Sequence, residues 1–411
     1  MVPAPIKRVG MLFSGGPAPA ANAVISAATL SFLNAGVSVV GFLDGYENLE
    51  RWSPDAPLVE RRDYACLKRN DVSHIRNDGA IVLRTSRANP GKPVTSFDDL
   101  ADAEKNAKLR AVFGAFGQLE IDALVSIGGD DTLKTGNYLY RMQEAVEGLR
   151  PVRIVHLPKT IDNDYNGIDW TFGFMTAADF AAKEIRNLGG DAKSTRAWYV
   201  LEVMGRKAGW LTYAAGIAGE ATKMISVEDC GPVFDIEQAA DEIAQLMRAR
   251  AADGREYGVV CIAEGLADKL PDEQRPHTTD EHGNVVLGSV QIGRALAEMV
   301  EDKYAALTGG AMKVRSKQVG YEVRCAEPNA FDVLLATQLG VGACRALVDE
   351  GLSGVMVSVE RQLQLTYVPF SELIDPVTLK TKVRFIERDS DFFKLARSLE
   401  YQECERPEPE C

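Results

Sequence analysis

The sequence has little of what anchors a protein in a membrane or locks it with disulfides. No apolar run in the 411 residues approaches the roughly 20 that a bilayer span requires. The seven cysteines are odd in number and include no Cys-x-x-Cys pair, which indicates reduced thiols rather than a disulfide framework or a zinc site. Met1–Arg8 has no long apolar core, unlike a signal peptide. These absences predict a cytoplasmic protein with no membrane partner.

Positive charge is also in short supply. The formal net charge is −13, with 59 acidic residues against 46 basic ones. Nucleic acids and anionic membranes bind basic surfaces, so this charge argues against both as partners. Phosphate ligands remain compatible, because they need only a local basic pocket. The four histidines show no metal-ligand spacing, and His277 and His282 fall in an acidic loop where a surface position is expected.

Short apolar runs that alternate with helical patterns are what the sequence does contain. Val9–Phe13, Ala123–Ile127 and Arg153–Leu157 predict buried parallel strands, and Ile236–Ala252 predicts a helix with Asp235 as its N-cap. Hydrophobic residues make up 46% of the chain, which is enough for more than one core. The alternation predicts an α/β fold of three-layer α/β/α domains with mostly parallel sheets.

Two boundaries are expected from local signals. The glycine pair Gly189-Gly190 predicts the end of a helix that begins near Thr176. The apolar and alternating stretch Val355–Val368 predicts a single strand.

Polar motifs follow the predicted strands at their carboxyl ends. Residues 14–16 (Ser-Gly-Gly) follow the first strand, 128–132 (Gly-Gly-Asp-Asp-Thr) follow another, and 158–164 (Pro-Lys-Thr-Ile-Asp-Asn-Asp) follow a third. In an open α/β sheet these ends form the ligand crevice, so four carboxylates, a lysine and a glycine pair are expected at one edge. Glycines admit phosphate to the backbone, carboxylates hold Mg²⁺ or take a proton, and a cation offsets charge. The combination predicts phosphoryl transfer.

The carboxylates of this group have different expected roles. Asp162 is the best candidate for a general base, although alone it would be interpreted as a helix cap. Asp130 is the expected Mg²⁺ ligand, directly or through water, with Asp164 as a second candidate. A nicotinamide-binding protein is disfavoured, because Gly15-Gly16 lacks the third glycine of the dinucleotide fingerprint.

An ordered set of motifs resembles the phosphofructokinase family, and within it the pyrophosphate-dependent branch. The set runs from Ser14 to about Gly340 and comprises Gly15-Gly16, the two stretches above, Met204-Gly205-Arg206, Ala263-Glu264-Gly265 and Gly320-Tyr321-Glu322-Val323-Arg324. The resemblance implies transfer from pyrophosphate to fructose 6-phosphate with Mg²⁺ as cofactor. It also implies two domains with the chain crossing between them: 1–172 with 325–385 for the donor, and 173–324 with 386–411 for the sugar phosphate.

The resemblance further assigns roles to individual residues. Asp131 and Lys159 stand where ATP-using relatives have glycine. The carboxylate of Asp131 would therefore exclude a nucleotide's α-phosphate. The cation of Lys159 would lie beside the transferred phosphoryl group and the leaving phosphate of pyrophosphate. Donor binding is expected at Gly15, Gly16, Arg87, Gly129 and Lys159, with Arg84 an open alternative to Arg87. Substrate binding is expected at Thr160, Ile161, Asp162, Met204, Gly205, Arg206, Glu264, Arg315, Tyr321 and Arg324.

Arg315 also matches a family arginine that reaches into a neighbouring subunit, which implies a homodimer or homotetramer; Arg196 is one residue out of register for a second such arginine. Three alternatives stay open at this point. They are an ATP-dependent phosphofructokinase, a kinase for sedoheptulose 7-phosphate, and a non-catalytic phosphosugar sensor.

Overall fold

The structure, a computed structural model, describes residues 5–275 and 290–401. His277, His282, Cys404, Cys411 and the last part of the predicted C-terminal segment (402–411) lie outside the described residues. The chain divides into two compact units. Unit 1 holds the residues up to Ile161, Tyr165–Thr176 and Arg324–Val383, and unit 2 holds Asp162–Asp164, Ala177–Val323 and the residues from Arg384 onward.

Unit 1 is built on a seven-stranded sheet with the strand order β11-β10-β5-β4-β1-β2-β3. Only the outermost pairs, β2–β3 and β10–β11, are antiparallel. The strands are β1 (Arg8–Ser14), β2 (Ser38–Phe42), β3 (Tyr64–Leu67), β4 (Ala123–Gly128), β5 (Arg153–Pro158), β10 (Val355–Glu360) and β11 (Gln364–Pro369). The central strand β4 is buried along its whole length, as its apolar sequence requires.

The helices of unit 1 connect these strands. They are α1 (Ala21–Asn34), α2 (Glu47–Glu50), α3 (Arg69–Val72), α4 (Ala107–Gln118), α5 (Asp130–Ala145), α10 (Ala330–Cys344) and α11 (Phe370–Leu373). α1 and α10 pack against each other. A further helix, α6 (Phe174–Thr195), begins in unit 1 and continues in unit 2.

Unit 2 is built on a four-stranded parallel sheet with the order β7-β8-β6-β9. Its strands are β6 (Trp198–Val203), β7 (Lys223–Ile225), β8 (Gly258–Ala263) and β9 (Val314–Val319), and its helices are α7 (Trp210–Gly219), α8 (Ile236–Ala252), α9 (Ile292–Thr308) and α12 (Asp391–Leu399). Asp235 caps α8 by accepting from the Gln238 amide, as predicted. The predicted α/β class with mostly parallel sheets is confirmed.

The predicted helix end at Gly189-Gly190 and the predicted single strand Val355–Val368 are both wrong. α6 continues through Gly189-Gly190 to Thr195, because interior glycines cost only about 1 kcal/mol each and the helix still buries Ala192. The stretch predicted as one strand is a hairpin of β10 and β11, whose turn places Arg361 and Leu363 at positive φ. A turn this short cannot be recognised from the pattern of apolar residues.

One helix of the described residues is long and apolar enough to cross a membrane. It is Ala330–Asp349, formed by α10 and its continuation, and the sequence analysis did not anticipate it. More than half of its most apolar window is buried inside the protein, which is typical of a core helix. As evidence for a membrane span it is weak.

Candidate functional site

Three loops of unit 1 begin at one row of paired residues that runs across its sheet. Ser14 pairs with Gly128 across β1 and β4, and Gly128 pairs with Pro158 across β4 and β5. Because the three strands are parallel, the segments that follow these residues leave the sheet at the same edge. Gly15-Gly16, Gly129-Asp130-Asp131 and Lys159-Thr160-Ile161 therefore emerge side by side, whereas Asp162 and Asp164 of the predicted group belong to unit 2.

Lys159 lies in the crevice between two of these loops. Its side chain is buried, with 7% of the residue exposed. The ammonium nitrogen is 3.3 Å from the position that a Cβ atom on Gly15 would occupy and 4.0 Å from the equivalent position on Gly129. Gly15 also has φ +91°, a conformation that residues with a Cβ rarely adopt. Glycine at position 15 thus gives the lysine access to the loop backbone.

The segment after Lys159 is held by its neighbours. The Lys159 amide donates to the carbonyl oxygen of Gly128 at 2.9 Å, which extends the pairing of β5 by one residue. The hydroxyl of Thr171 donates to the Thr160 carbonyl oxygen at 2.7 Å. Ile161 is buried, whereas Thr160 is half-buried. Of the two, only Thr160 offers a partly exposed polar side chain.

The segment that follows α3 and the loop after β1 are joined by hydrogen bonds. Gly15 donates its amide to the Ser86 carbonyl oxygen at 2.8 Å, and the Thr85 hydroxyl donates to the Gly15 carbonyl oxygen at 2.6 Å. Arg87 directly follows this bonded pair. Arg84, in contrast, donates to Asp44 at 2.6 Å. Arg87 thus lies next to the Gly15 loop and Arg84 is ion-paired with Asp44, and the donor contact of either arginine stays a prediction.

The acidic pair Asp130 and Asp131 opens helix α5. Carboxylates in a first helical turn interact favourably with the helix dipole. Asp130 is half-buried, whereas the Asp131 side chain is 60% exposed and forms an ion pair with Lys134 at 2.6 Å. The charge of Asp131 is thus partly offset by a neighbour on its own helix.

Asp130 fits a magnesium site in the chemistry of its donor atoms. Mg²⁺ usually takes one or two carboxylates and completes its shell with water and substrate phosphate oxygens. A half-buried carboxylate beside Gly129 meets that requirement. Within residues 5–275 and 290–401, no group of three or more His, Cys, Asp or Glu side chains converges as a metal site.

Arg324 lies at the Gly16 loop. Its guanidinium carbon is 3.7 Å from the position that a Cβ atom on Gly16 would occupy. The division between the units falls within the predicted Tyr321–Arg324 motif, so that Arg324 belongs to unit 1 and Tyr321 to unit 2. Tyr321 is 75% exposed.

His156 is a buried side chain that the sequence analysis did not single out. It lies on β5, two residues before Pro158. Its Nε2 lies 3.0 Å from the Tyr165 hydroxyl, which donates to the Gly128 carbonyl oxygen at 3.3 Å. Burial is the main cause that lowers the pKa of His156, to about 3, so the ring is neutral near pH 7. The one signal in the sequence was a histidine inside an otherwise apolar strand.

Unit 2 repeats the arrangement at the end of its own sheet. Val203 pairs with Ala263 across β6 and β8, and with Val319 across β6 and β9. The predicted sugar-phosphate residues follow this row, as Met204-Gly205-Arg206, Glu264 and Gly320-Tyr321. The Met204 side chain reaches within 3.9 Å of the Cβ position on Gly320.

The first two of these segments are bonded to each other. The Gly205 amide donates to Glu264 Oε1 at 3.3 Å, and the Gly265 amide donates to the Gly205 carbonyl oxygen at 3.3 Å. Arg206 donates to Asp268 at 3.1 Å, with about a third of each side chain exposed. Glu264 and Arg206 are both half-buried, and these hydrogen bonds orient their side chains.

Arg315 lies on the edge strand β9 in a fixed position. Its guanidinium donates to the Thr195 hydroxyl at 3.3 Å, is 3.7 Å from Asp191, and lies over the Tyr199 ring at 5.5 Å. Arg196 has an 80% exposed side chain and pairs with Glu256 at 3.6 Å. Of the two arginines, Arg315 is the more firmly held.

The segment Asp162–Asp164 belongs to unit 2 and is held by a residue far along the chain. Asn163 is fully buried and has φ +54°. Arg384 donates its backbone amide to the Asp164 carbonyl oxygen at 2.9 Å and its Nη2 to the Asn163 carbonyl oxygen at 3.0 Å. Asp162 itself is half-buried. The sequence analysis did not find Arg384.

Comparison with known proteins identifies the family that this chain matches. The family model described as phosphofructokinase matches residues 8–347. A pyrophosphate–fructose 6-phosphate 1-phosphotransferase of Thermotoga maritima is 34% identical, over 98% of this chain and 93% of its own length. An ATP-dependent 6-phosphofructokinase of Chloroflexus aggregans is 33% identical, over 89% of this chain and 90% of its own.

A solved structure agrees at the level of the fold. The pyrophosphate-dependent phosphofructokinase from Nitrosospira multiformis superposes with a TM-score of 0.67 and 18% identity, covering 98% of this chain and 94% of its own.

Proposed function

Because the chain belongs to the phosphofructokinase family, as its motifs predicted, we propose that it transfers a phosphoryl group from pyrophosphate to fructose 6-phosphate. The products are fructose 1,6-bisphosphate and phosphate. The attacking group is the 1-hydroxyl of the sugar, and the bond that breaks joins the transferred phosphorus to the bridging oxygen, which stays on the leaving phosphate. The leaving phosphate keeps the electron pair of that bond.

The observation that supports pyrophosphate as donor is the buried ammonium of Lys159 beside Gly15. A cation at the glycine loops offsets the charge that develops on the leaving phosphate, and burial strengthens the interaction by excluding water. Arg87, next to the bonded pair Thr85-Ser86, is proposed as a second donor contact.

Most of the proposed acceptor groups belong to unit 2, whereas Arg324 belongs to unit 1. Asp162 accepts the proton of the 1-hydroxyl as that oxygen attacks phosphorus. Glu264 accepts hydrogen bonds from sugar hydroxyls, while Arg206 and Arg315 bind the phosphosugar. Arginine is suited to phosphate because its donors form a planar fork. Tyr321 and Arg324 are proposed contacts of the 6-phosphate.

Asp130 is the residue proposed to hold Mg²⁺. When bound, the ion would offset negative charge on the transferred phosphoryl group. We also propose a cytoplasmic location and a homo-oligomer, a dimer or a tetramer, in which Arg315 contributes to a neighbouring site. The five described cysteines are all free, which is compatible with a reducing compartment.

An ATP-dependent activity is the second candidate, and the Asp131–Lys134 ion pair is the observation that favours it. A carboxylate whose charge is partly offset by Lys134 repels a nucleotide's α-phosphate less than a lone carboxylate would. Relatives named as ATP-dependent also match at similar identity.

A matrix of donors against acceptors tests the proposal. Purified protein with Mg²⁺ is assayed with pyrophosphate or ATP as donor, and with fructose 6-phosphate or sedoheptulose 7-phosphate as acceptor. We expect the highest kcat/KM for pyrophosphate with fructose 6-phosphate. A higher kcat/KM with ATP contradicts the donor assignment, and a preference for the seven-carbon sugar contradicts the acceptor. Absence of turnover in every combination favours a phosphosugar sensor.

A further inference from the structure

We propose that Arg384 is a positioning residue that holds the Asp162–Asp164 segment in the conformation in which Asp162 can act as a base. The inference rests on the proposed function, since it concerns the base of that reaction. Every contact that supports it lies within unit 2.

The Asp162–Asp164 segment contains a residue in an unfavourable backbone conformation. Asn163 adopts φ +54°, in the left-handed region that is unfavourable for residues with a Cβ, although asparagine tolerates it better than most. It is also fully buried, so its carbonyl oxygen needs a donor from the protein. Arg384 supplies that donor from its side chain and a second, for Asp164, from its backbone.

Arg384 is itself fixed by the opening residue of α7. Its guanidinium carbon lies 4.4 Å from the centre of the Trp210 ring, and the Trp210 indole donates to the Arg384 carbonyl oxygen at 2.9 Å. The ring of Phe392 stacks on the same tryptophan at 5.2 Å. A guanidinium stacked on an aromatic face keeps its donors in one plane and loses little freedom on binding.

The same anchor reaches the loop proposed to bind the sugar phosphate. The buried carboxylate of Glu228 accepts from the Gly209 amide at 3.0 Å and from the Ile386 amide at 3.2 Å. Gly209 ends the loop that begins at Met204, and Ile386 is two residues after Arg384. One carboxylate therefore connects the loop of residues 204–209 to the extended segment around Arg384 that holds Asp162–Asp164.

The test compares Arg384→Ala with Arg388→Ala. Arg388 is a matched control because it also donates to backbone carbonyls, at Glu228 and Cys230, without a hydrogen bond to residues 162–164. A displacement of about 1 Å at a reacting group can cost about 10²-fold in rate. We expect Arg384→Ala to lower kcat about tenfold to hundredfold, with the KM for fructose 6-phosphate changed less than about threefold. Arg388→Ala should keep kcat.

A double-mutant cycle separates positioning from general stability. If Arg384 acts through Asp162, its removal costs little once Asp162→Asn has already removed the base, whereas a merely structural effect persists in both backgrounds. Equal fold-losses in both backgrounds, or wild-type kcat in Arg384→Ala, overturn the inference. If Arg384→Ala does not fold, Arg384→Lys and Trp210→Phe are measured by the same cycle and judged by the same outcomes.

The Asp162→Asn arm distinguishes the two levels of proposal. Wild-type kcat in Asp162→Asn overturns the assignment of the base, and this inference with it. An inactive Asp162→Asn together with a fully active Arg384→Ala overturns the positioning role alone.

Discussion

The ammonium group of Lys159 lies 3.3 Å from the place where a Cβ atom on Gly15 would be. Two loops that are 144 residues apart in the sequence thus share one small volume, because β1 and β5 both flank β4 in the sheet. A methyl group at position 15 and the lysine cannot both keep their present positions.

Gly15→Ala should weaken pyrophosphate use more than it weakens the fold. The added methyl displaces the Lys159 ammonium, so we expect at least a tenfold lower kcat/KM for pyrophosphate. Gly148→Ala is the control, since Gly148 also has positive φ but no atom within 4 Å of its Cβ position. Both variants should lose about 1 kcal/mol of stability from backbone strain, measured by denaturant unfolding. Equal kinetics in the two would contradict a role for the Gly15–Lys159 contact.

Asp131→Gly combined with Lys159→Gly should reduce the preference for pyrophosphate over ATP. Removing the ammonium takes away stabilisation of the leaving phosphate, so kcat with pyrophosphate should fall more than its KM rises. Removing one such charged donor typically costs about 10²–10³ in kcat. Steady-state kinetics with both donors provide the measurement.

Lys134→Ala is the complementary variant, because it frees Asp131 from its ion pair and leaves Lys159 untouched. It should discriminate against ATP more strongly than the parent protein. An unchanged donor ratio would remove Asp131 from the account of specificity.

Arg315→Ala should raise the KM for the sugar phosphate tenfold or more, since a charged hydrogen bond is worth about 1.5–3 kcal/mol. Lys317→Ala is its control on the same strand, where Lys317 pairs with Glu184 at 2.6 Å. If Arg315 serves a neighbouring subunit, mixed oligomers of Arg315→Ala and Asp162→Asn chains regain activity. Verified hybrids without recovery rule out a shared site.

His156 should make the protein less stable in mild acid. Its folded pKa of about 3 lies below the unfolded value near 6.5, so the unfolded chain binds the extra proton in this interval. Stability is therefore lost as the pH falls from 6.5 toward 3, by about 2 kcal/mol between pH 7 and pH 5. We expect His156→Gln to be less stable than the parent at pH 7, with the difference shrinking by that amount at pH 5.

Urea unfolding at the two pH values measures this effect. The raised pKa of Asp332, about 6 through burial, has the opposite sign but is common to parent and variant and cancels in the difference. Exposed His74, changed to Gln, is the control. A parent–variant difference that does not change with pH would contradict the buried, neutral state of His156.

Local sequence pattern was sufficient for the strand ends and insufficient for what holds them. The apolar runs before Gly128 and Pro158 predicted the row at the sheet edge, because a buried parallel strand must be apolar on both faces. The helix through Gly189-Gly190 was missed because α6 is stabilised by packing that no local signal records. The ion pair of Arg84 with Asp44, 40 residues earlier, was likewise not predicted. Contacts between residues so far apart in the sequence follow from the topology of the sheet, which local secondary-structure propensity does not encode.

The 221 residues between Asn163 and Arg384 set an order of events during synthesis. At about 5–20 residues per second, a ribosome needs roughly 10–45 s to pass from one to the other. During that interval the left-handed turn at Asn163 exists without its side-chain donor. A nascent chain that already carries both glycine loops and the lysine is therefore expected to stay inactive until the segment that carries Arg384 has been made.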